Sequence, residues 1–366
     1  MNDTKGSIWR KWDLHIHTPF SVLNNEFGED FDKYVEKLFK EAIKKDIAVI
    51  GITDYFTIEG YKKIKNEYLD DENKLRKIFS SEEIHKINKI LVLPNIEFRL
   101  NDLVNGRRIN FHVILSNEVS LKDIEEHFIH ELDFVYESEP FDRDHTRKLK
   151  LSNLESLGNT LKQQQEFTGS DIFVGMSKAT VNHKDISDKL NDTRFKNKYI
   201  IGVPPDEDLS KISWNGQEHM IRKLIIQKSN FLFASNQNTI KWSLGKLHDT
   251  PEDYIREFKT LKPCIWGSDT HTYEKLFEPD FEKYCWIKSD TTFEGLRQIL
   301  YEPEERVYIG YQPEILNVVR NNPTKYIKKL SIDSISSYKG KNGKWFDCTT
   351  VEFNNGLCSI IGNKGQ

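Results

Sequence analysis

The sequence predicts an α/β protein with a seven-stranded parallel sheet or barrel, followed by a short β-rich segment. Short apolar runs rich in β-branched residues alternate with longer stretches of helical period, and ionisable residues follow several of these runs directly. A length of 366 residues leaves room for one large barrel with an appendage. With 37% apolar and 12% aromatic residues, the composition is typical of a water-soluble globular protein and excludes a membrane-spanning one.

The first βα unit shows the pattern most clearly. A strand through Trp12, Leu14 and Ile16 precedes a helix whose apolar residues repeat at intervals of three and four, and an apolar strand at 47–52 follows. The remaining strands are predicted at 90–93, 109–115, 199–203, 231–234 and 264–266.

Two segments depart from this alternation. Residues 135–171 predict an insertion over the mouth of the barrel, although its stripe of four leucines, from Leu151 to Leu161, also fits an ordinary amphipathic surface helix. Near residue 320 the pattern changes to short strands around a hairpin-like run at 339–344. We therefore expect a barrel domain over 1–320 and a separate β-rich segment over 321–366.

Charge and cysteine usage limit the partners and the compartment. The 53 basic and 57 acidic residues give a net charge of −4, so any surface that binds phosphate must be local. The four cysteines form no CxxC pair, which favours reduced thiols in a cytosol. Because no segment resembles a signal peptide or a membrane span, we expect a cytoplasmic protein without a membrane partner, and the sequence leaves a homo-oligomer open.

Ionisable residues collect where the predicted strands end. In parallel α/β sheets the βα loops converge at the carboxyl ends of the strands, so residues there lie near one another. Five of the seven strands bring such residues to that edge or close to it, namely His15, His17, Asp54, Glu97, His112, Asp269 and His271.

This set predicts a metal centre. His15 and His17 are two residues apart, so both imidazoles point to one side of an extended chain, and Asp269 and His271 repeat this spacing. Nitrogen and oxygen ligands of this kind suit zinc, manganese or iron better than calcium. One HxH pair is weak evidence by itself, and the prediction depends on the whole set.

The segments WDLHIHTPFS, GITDYF, PNIEF, FHVI and GSDTH resemble, in order and spacing, the polymerase and histidinol phosphatase (PHP) superfamily. The resemblance covers about residues 9–310 and implies a distorted seven-stranded (β/α) barrel with two or three divalent metals. It implies that one metal is bound by His15, His17 and Asp269. Glu97 would bridge that metal to a second one on His112, and His271 would complete the cluster.

The resemblance also gives Asp54 a role and shows two departures. Asp54 matches an aspartate that would orient a ligand or a bound water. Tyr55 stands where the family has a histidine, and Val203-Pro204-Pro205 stands where it often has His-Pro. We therefore expect two metals, with the second held less completely unless a loop histidine assists, the candidates being His145, His183 and His219.

Two adjacent cations favour phosphoester hydrolysis, because they activate water and neutralise the phosphate. The candidate catalytic residues are Asp54, Glu97, Asp269 and His271. Three arginines after the third strand, Arg99, Arg107 and Arg108, could contact substrate phosphate, and a solvated loop explains them equally well.

The C-terminal residues 356–366 resemble the first half of a Walker A loop of ABC and SMC-type ATPases. The resemblance implies an ATPase domain in a longer chain, with ATP bound only there. Such a partner makes a nucleic acid the expected substrate and a nuclease the expected activity. Two alternatives stay open: a small-molecule phosphatase of the histidinol-phosphate type, and a non-catalytic, metal-bound module that regulates the ATPase.

Overall fold

Apolar, β-branched runs form the strands of a mixed α/β fold, as a computed structural model of the protein shows. The structure describes residues 5–104, 107–136, 147–205, 217–332, 349–356 and 358. The strands are β1 (Ile8–His17), β2 (Ile47–Tyr55), β3 (Leu91–Val104), β4 (Arg107–Leu115), β5 (Phe134–Val135), β6 (Thr180–Val181), β7 (Tyr199–Val203), β8 (Phe231–Phe233), β9 (Cys264–Ile265), β10 (Cys285–Ser289), β11 (Val307–Ile309), β12 (Lys329–Ile332) and β13 (Thr349–Glu352). The helices are α1 (Phe31–Lys45), α2 (Glu59–Ile64), α3 (Glu72–Ile78), α4 (Ser81–Ile87), α5 (Leu121–His127), α6 (Leu151–Gln164), α7 (Asp171–Lys178), α8 (His183–Leu190), α9 (Gln217–Lys228), α10 (Gln237–Ser243), α11 (Pro251–Phe258), α12 (Phe293–Gln298), α13 (Pro303–Arg306) and α14 (Glu314–Asn321).

One large sheet organises the described chain. Nine of its strands follow the hydrogen-bonded order β11, β10, β1, β2, β3, β4, β7, β8, β9, and β5 and β6 form a side branch. Strands β1 to β3 run parallel, as do β7 to β9, whereas β4 is antiparallel to both of its neighbours. The chain just after β9 returns to β1, where the His17 amide donates to the Thr270 carbonyl at 3.2 Å. The sheet is therefore nearly closed, like a barrel.

The predicted count of seven strands is wrong, because β10 and β11 extend the sheet beyond β1 as antiparallel strands. Both strands run antiparallel to their neighbours, so they fall outside the βα alternation on which the prediction rested. The predicted parallel sheet is also wrong at β4. Only Asn105 and Gly106 separate β3 from β4, and a parallel crossover needs about a dozen residues. Asn-Gly is a strong hairpin signal that the sequence already contained.

The sheet has apolar packing on both faces. On the enclosed face, one cluster draws at least one residue from each of eight strands, among them Leu14, Val49, Leu93, Ile114 and Ile200. On the outer face, a larger cluster packs the strands against the helices. Side chains alternate along a strand, so the inward-facing residues beyond this apolar cluster lie at the edge of the sheet where β1 to β3 end. We call this edge the rim.

Helix α1 follows the loop that leaves β1. Its N-terminus is capped by Asp30, whose carboxylate accepts the Lys33 amide at 3.0 Å, and it ends at Asp46 in the left-handed conformation. The tyrosine on its buried face, Tyr34, donates its hydroxyl to the His17 carbonyl at 2.8 Å. Packing of this helix therefore fixes the end of β1.

The two segments predicted outside the alternation are only partly described. The leucine stripe forms α6, which buries Leu154, Leu157 and Leu161. Beyond α14, β12 and β13 pair in a separate two-stranded sheet, and Asn354 donates to the carbonyl of Ser7 at 2.6 Å. The predicted hairpin at 339–344, His145, and most of the C-terminal Walker-like pattern lie outside the described residues. The boundary near residue 320 stays a prediction.

In the described part of the chain, no helix combines the length and the apolar character needed to cross a membrane.

Candidate metal centre

Strand β1 supplies the centre of the site. A register irregularity lies between Asp13 and Ile16, where β1 pairs with β2. Beyond it, His15 and His17 face one another with their Nε2 atoms 3.1 Å apart. His17 is fully buried, and the His15 side chain is 12% exposed.

Strands β3 and β4 supply Glu97 and His112, which are directly opposite each other in the antiparallel register. Both are buried. The Oε2 atom of Glu97 lies 3.2 Å from Nε2 of His15 and 3.4 Å from Nε2 of His17. It lies 4.0 Å from Nε2 of His112. One carboxylate oxygen thus lies close to three imidazoles.

The loop after β9 brings Asp269 close to both His15 and His17. Its Oδ1 atom lies 3.2 Å from Nε2 of His15 and 3.5 Å from Nε2 of His17. Nε2 of His271 is also 3.5 Å from this oxygen, and the His271 ring stacks on His17 with centroids 4.0 Å apart. Asp269 has a φ of 47° and a side chain that is 61% exposed, so it marks the open edge of the site.

Asp13 anchors the loop that carries Asp269. Its buried carboxylate accepts the amide of Ser268 at 3.1 Å and the amide of His15 at 3.2 Å. Gly267 permits this approach, because a Cβ there would lie 2.6 Å from the Cβ of His15. Burial raises the pKa of Asp13 to about 6, against the opposing effect of its hydrogen bonds from Ser268 and His15.

Hydrogen bonds behind three of the imidazoles fix which nitrogen faces the centre. Nδ1 of His271 lies 2.8 Å from the Asn24 carbonyl, which can only accept, so Nδ1 carries the proton. Nδ1 of His17 lies 2.8 Å from the hydroxyl of Ser21, which itself donates to a carboxylate of Asp54 at 2.8 Å. Both rings, when neutral, therefore present the Nε2 lone pair to the site.

His112 is held in the same way by Asn95. The amide nitrogen of Asn95 donates to the Leu14 carbonyl at 2.8 Å and to the Thr53 hydroxyl at 3.0 Å, which turns its oxygen toward Nδ1 of His112 at 3.4 Å. Burial lowers the pKa of His112 to about 3, so this ring is neutral at neutral pH. Its Nε2 atom is then a lone-pair donor.

Asp54 lies behind the centre and not in it. Its two oxygens accept from the hydroxyls of Thr18 at 2.7 Å and Ser21 at 2.8 Å, and from the amide of Gly60 at 2.8 Å. A Cβ at Gly60 would lie 2.5 Å from this carboxylate, so the position needs glycine. Burial raises the pKa of Asp54 to about 6, although these hydrogen bonds oppose the rise. Asp54 acts on the site through Ser21, which orients His17.

The carboxylates of Glu97 and Asp269 stay ionised. Burial alone would raise the pKa of Glu97, but His15 and His17 hold it below its ordinary value. The nearby His15 likewise lowers the pKa of Asp269, against the effect of burial. Burial would lower the pKa of His17, yet hydrogen bonds to Asp269 and Glu97 raise it to about 9. The two carboxylates thus attract positive charge to the site, here a proton on His17, and a bound metal ion would displace that proton.

The donor atoms form two groups, each of which could hold a divalent ion. Zinc bonds to nitrogen and oxygen of about 2.1 Å place neighbouring ligand atoms roughly 3.4 Å apart in a tetrahedron, close to the 3.1 to 3.5 Å that separate His15, His17 and Asp269. A second group consists of His15, Glu97 and His112. His15 belongs to both groups, whereas the sequence had placed it with the first metal only.

Two other residues singled out in the sequence, His183 and Tyr55, lie outside the two ligand groups. His183 is hydrogen-bonded to Asp102 at 2.7 Å, so it is engaged away from the two ligand groups. Tyr55 stays beside the centre, with its ring 4.9 Å from that of His17.

Ser21, Asn95 and Asp13 were missed by the sequence analysis. Asn95 could have been found by alternation, because it lies two residues before Glu97 on the same strand.

No protein-family model matches the chain, and no curated protein matches its sequence. Among solved structures, the chain is similar to a protein from Bifidobacterium adolescentis that is described provisionally as a metal-dependent phosphoesterase. The two chains are 14% identical, with a TM-score of 0.36, over 80% of this chain and 96% of the other. At this TM-score, the likeness supports no conclusion about function.

Proposed function

We propose that the protein is a divalent-metal-dependent phosphoester hydrolase. One observation carries the proposal: the carboxylates of Glu97 and Asp269 each lie within 3.5 Å of Nε2 of both His15 and His17. Bound divalent ions would supply Lewis-acid chemistry that activates water and stabilises charge on a phosphate.

The residues of the chain have distinct roles in this proposal. His15, His17, Glu97, His112 and Asp269 hold the ions, and His271 supports Asp269 at the open edge. Ser21, Asn95 and Asp13 keep these ligands in position. Ligands fixed in this way spend little free energy on reorganisation when the reaction begins.

We further propose that the substrate is a phosphodiester of a nucleic acid. The open edge at Asp269 supports this, because a long substrate can reach an exposed rim and cannot enter a closed pocket. The proposed partnership with an ATPase domain rests on the C-terminal sequence pattern alone. A cytoplasmic location stays part of the same proposal.

The test combines elemental analysis with a panel of substrates. We expect purified protein to bind about two equivalents of zinc, manganese or iron, and to cleave bis(p-nitrophenyl) phosphate, single-stranded DNA, nicked plasmid or tRNA in their presence. Asp269→Ala should lose both metal and cleavage. Asp188→Ala, which removes an exposed aspartate on α8, should lose neither.

Two outcomes would contradict the proposal. Protein that binds no divalent metal would remove its basis. Protein that binds metal but cleaves no ester would be a non-catalytic module. Turnover of p-nitrophenyl phosphate alone would keep the hydrolase and replace the nuclease by a small-molecule phosphatase.

A further inference from the structure

Arg99 occupies the next inward position of β3 beyond Glu97. Residues two apart on a strand share a face and lie about 6.8 Å apart. In the antiparallel register, Arg99 is opposite Asn110, as Glu97 is opposite His112. Arg99 therefore lies one step outward from the candidate metal centre, on the side from which a substrate approaches.

The guanidinium of Arg99 lies beside an aromatic ring. Its central carbon lies 5.9 Å from the ring centroid of Tyr55, and no carboxylate of the described chain lies within ion-pair distance of it. Five other described arginines have an acidic partner nearby, in the pairs Arg76 with Glu72, Arg194 with Asp192, Arg256 with Asp253, Arg297 with Glu294, and Arg306 with Glu302.

Tyr55 connects this cation to the centre. Its ring lies 4.9 Å from that of His17 and stacks parallel to His271 at 6.4 Å, so one face of the site is aromatic. A cation over a tyrosine ring is attracted by the negative face of the ring. The phenol is also a hydrogen-bond donor at neutral pH. Arg99 and Tyr55 thus place two hydrogen-bond donors beside the candidate metal centre.

The charges indicate what this rim binds. A guanidinium beside a centre that takes up divalent cations adds positive charge to positive charge, and an anion between them removes that repulsion. The planar guanidinium matches a pair of phosphate oxygens, with charge-assisted hydrogen bonds to both. A neutral amide or carboxylic ester offers no such pair of anionic oxygens.

We propose that Arg99 binds the non-bridging oxygens of the substrate's reacting group, which is therefore an anionic phosphate ester. Tyr55 positions the guanidinium through its ring and donates its hydroxyl to the same phosphate. This inference rests on the proposed function, and it adds the residues that recognise the substrate to those that hold the metals.

The test measures phosphate recognition separately from metal binding. Arg99→Met should raise KM for bis(p-nitrophenyl) phosphate by about 10- to 100-fold, the range of a lost charge-assisted hydrogen bond. Arg99→Lys should recover part of this loss, and Tyr55→Phe should raise KM by about 3- to 10-fold. The inhibition constant of inorganic phosphate should rise with KM, while kcat and metal content change little.

The matched control is Lys178→Met. Lys178 is the last residue of α7, and its ammonium group lies 5.0 Å from the centroid of the Phe167 ring. The control substitution should leave KM and phosphate inhibition unchanged. Unchanged KM and phosphate inhibition in Arg99→Met would overturn the inference, as would an equal effect of the control.

Failure of the proposed function gives a different result. If metal-loaded wild type cleaves no phosphate ester, calorimetry still tests Arg99 through the binding of inorganic phosphate. Binding that Arg99→Met weakens by 10-fold or more would support a phosphate-recognition site without catalysis. Binding that is absent, or unaffected by the substitution, would refute the inference as well.

Discussion

The inward face of β3 changes character along its length. Leu93 lies in the enclosed apolar cluster, Asn95 follows, and Glu97 and Arg99 reach the rim. Phe233 belongs to the apolar cluster and also contacts the candidate site, with its ring 5.3 Å from that of His15 and 4.6 Å from that of His112. A single strand thus contributes both to the stability of the sheet and to its candidate chemistry.

The difference shows how the protein keeps ionisable groups buried. In the apolar end, dispersion and the hydrophobic effect stabilise the packing without directional partners. At the rim, charges are removed from water, so each ligand needs a partner that orients it. Ser21, Asn95 and Asp13 supply these partners. Substitutions at the rim should therefore lower activity most, and substitutions in the apolar end should lower stability most.

The largest effect is expected at the rim. Glu97→Gln keeps the size of the side chain and removes the charge shared by three imidazoles, so turnover should fall by at least about 1000-fold. In wild type, metal at 100 times its Kd should stabilise the fold by about 2.7 kcal/mol. Glu97→Gln should lose most of this stabilisation, as measured by denaturant unfolding with and without metal. Full activity in this variant would exclude Glu97 from the site.

The apolar end should respond in the opposite way. Leu93→Ala should lower the free energy of unfolding by about 2 to 5 kcal/mol, because it leaves a cavity between strands. Turnover per folded molecule should change by less than about threefold, since no ligand loses its partner. Urea unfolding and active-site titration together test this prediction, and a selective loss of turnover would show that the two regions are coupled.

A smaller effect is expected one step behind the centre. Ser21→Ala removes the hydroxyl that holds Nδ1 of His17, so metal affinity should fall by about 10- to 100-fold, as measured by competition with a chelator. Ser156→Ala is the matched control, because that exposed hydroxyl bonds only to the Ser152 carbonyl within α6. Equal metal affinity in both variants would mean that the ring needs no anchor.

The smallest effect concerns a buried cation away from the metal centre. Lys262 is buried and donates to the Ser229 carbonyl at 2.7 Å, and burial lowers its pKa to about 8. The unfolded state, with a lysine pKa near 10.5, binds more protons between these values, so stability should rise with pH from about 8 to 10.5. Relative to Lys262→Met, wild type should gain roughly 1 to 3 kcal/mol over this interval. Parallel pH profiles of unfolding would contradict this.

Much of the fold could be predicted from local pattern. The strand at 199–203 has its predicted bounds, and the strand predicted at 47–52 extends by three residues to Tyr55. The reversal of β4 was missed although Asn105-Gly106 encodes it, because the expectation of βα alternation outweighed a two-residue signal. Strands β10 and β11 were not predicted, because they lie outside the βα alternation and their place in the sheet depends on the pairing of β10 with β1, which is distant in the sequence.

The candidate ligands and their partners divide in the same way, into residues that the sequence reveals and residues that only the fold reveals. Histidines and carboxylates near the ends of predicted strands can be recognised by residue type. The sequence therefore predicted His15, His17, Glu97, His112 and Asp269. Ser21 and Asp13 were not, because serine and aspartate are common and only their position identifies them. The position of Asp54 behind Ser21 likewise depends on how the β1 and β2 loops pack.

The sequence by itself determined the alternating elements and the residue types at the rim, because both follow from interactions between residues close in the chain. Only the tertiary structure decided that His15 lies within reach of both Glu97 and Asp269, which are 82 and 254 positions away. That proximity depends on strand register and near closure of the sheet, and these are set by packing over the whole barrel.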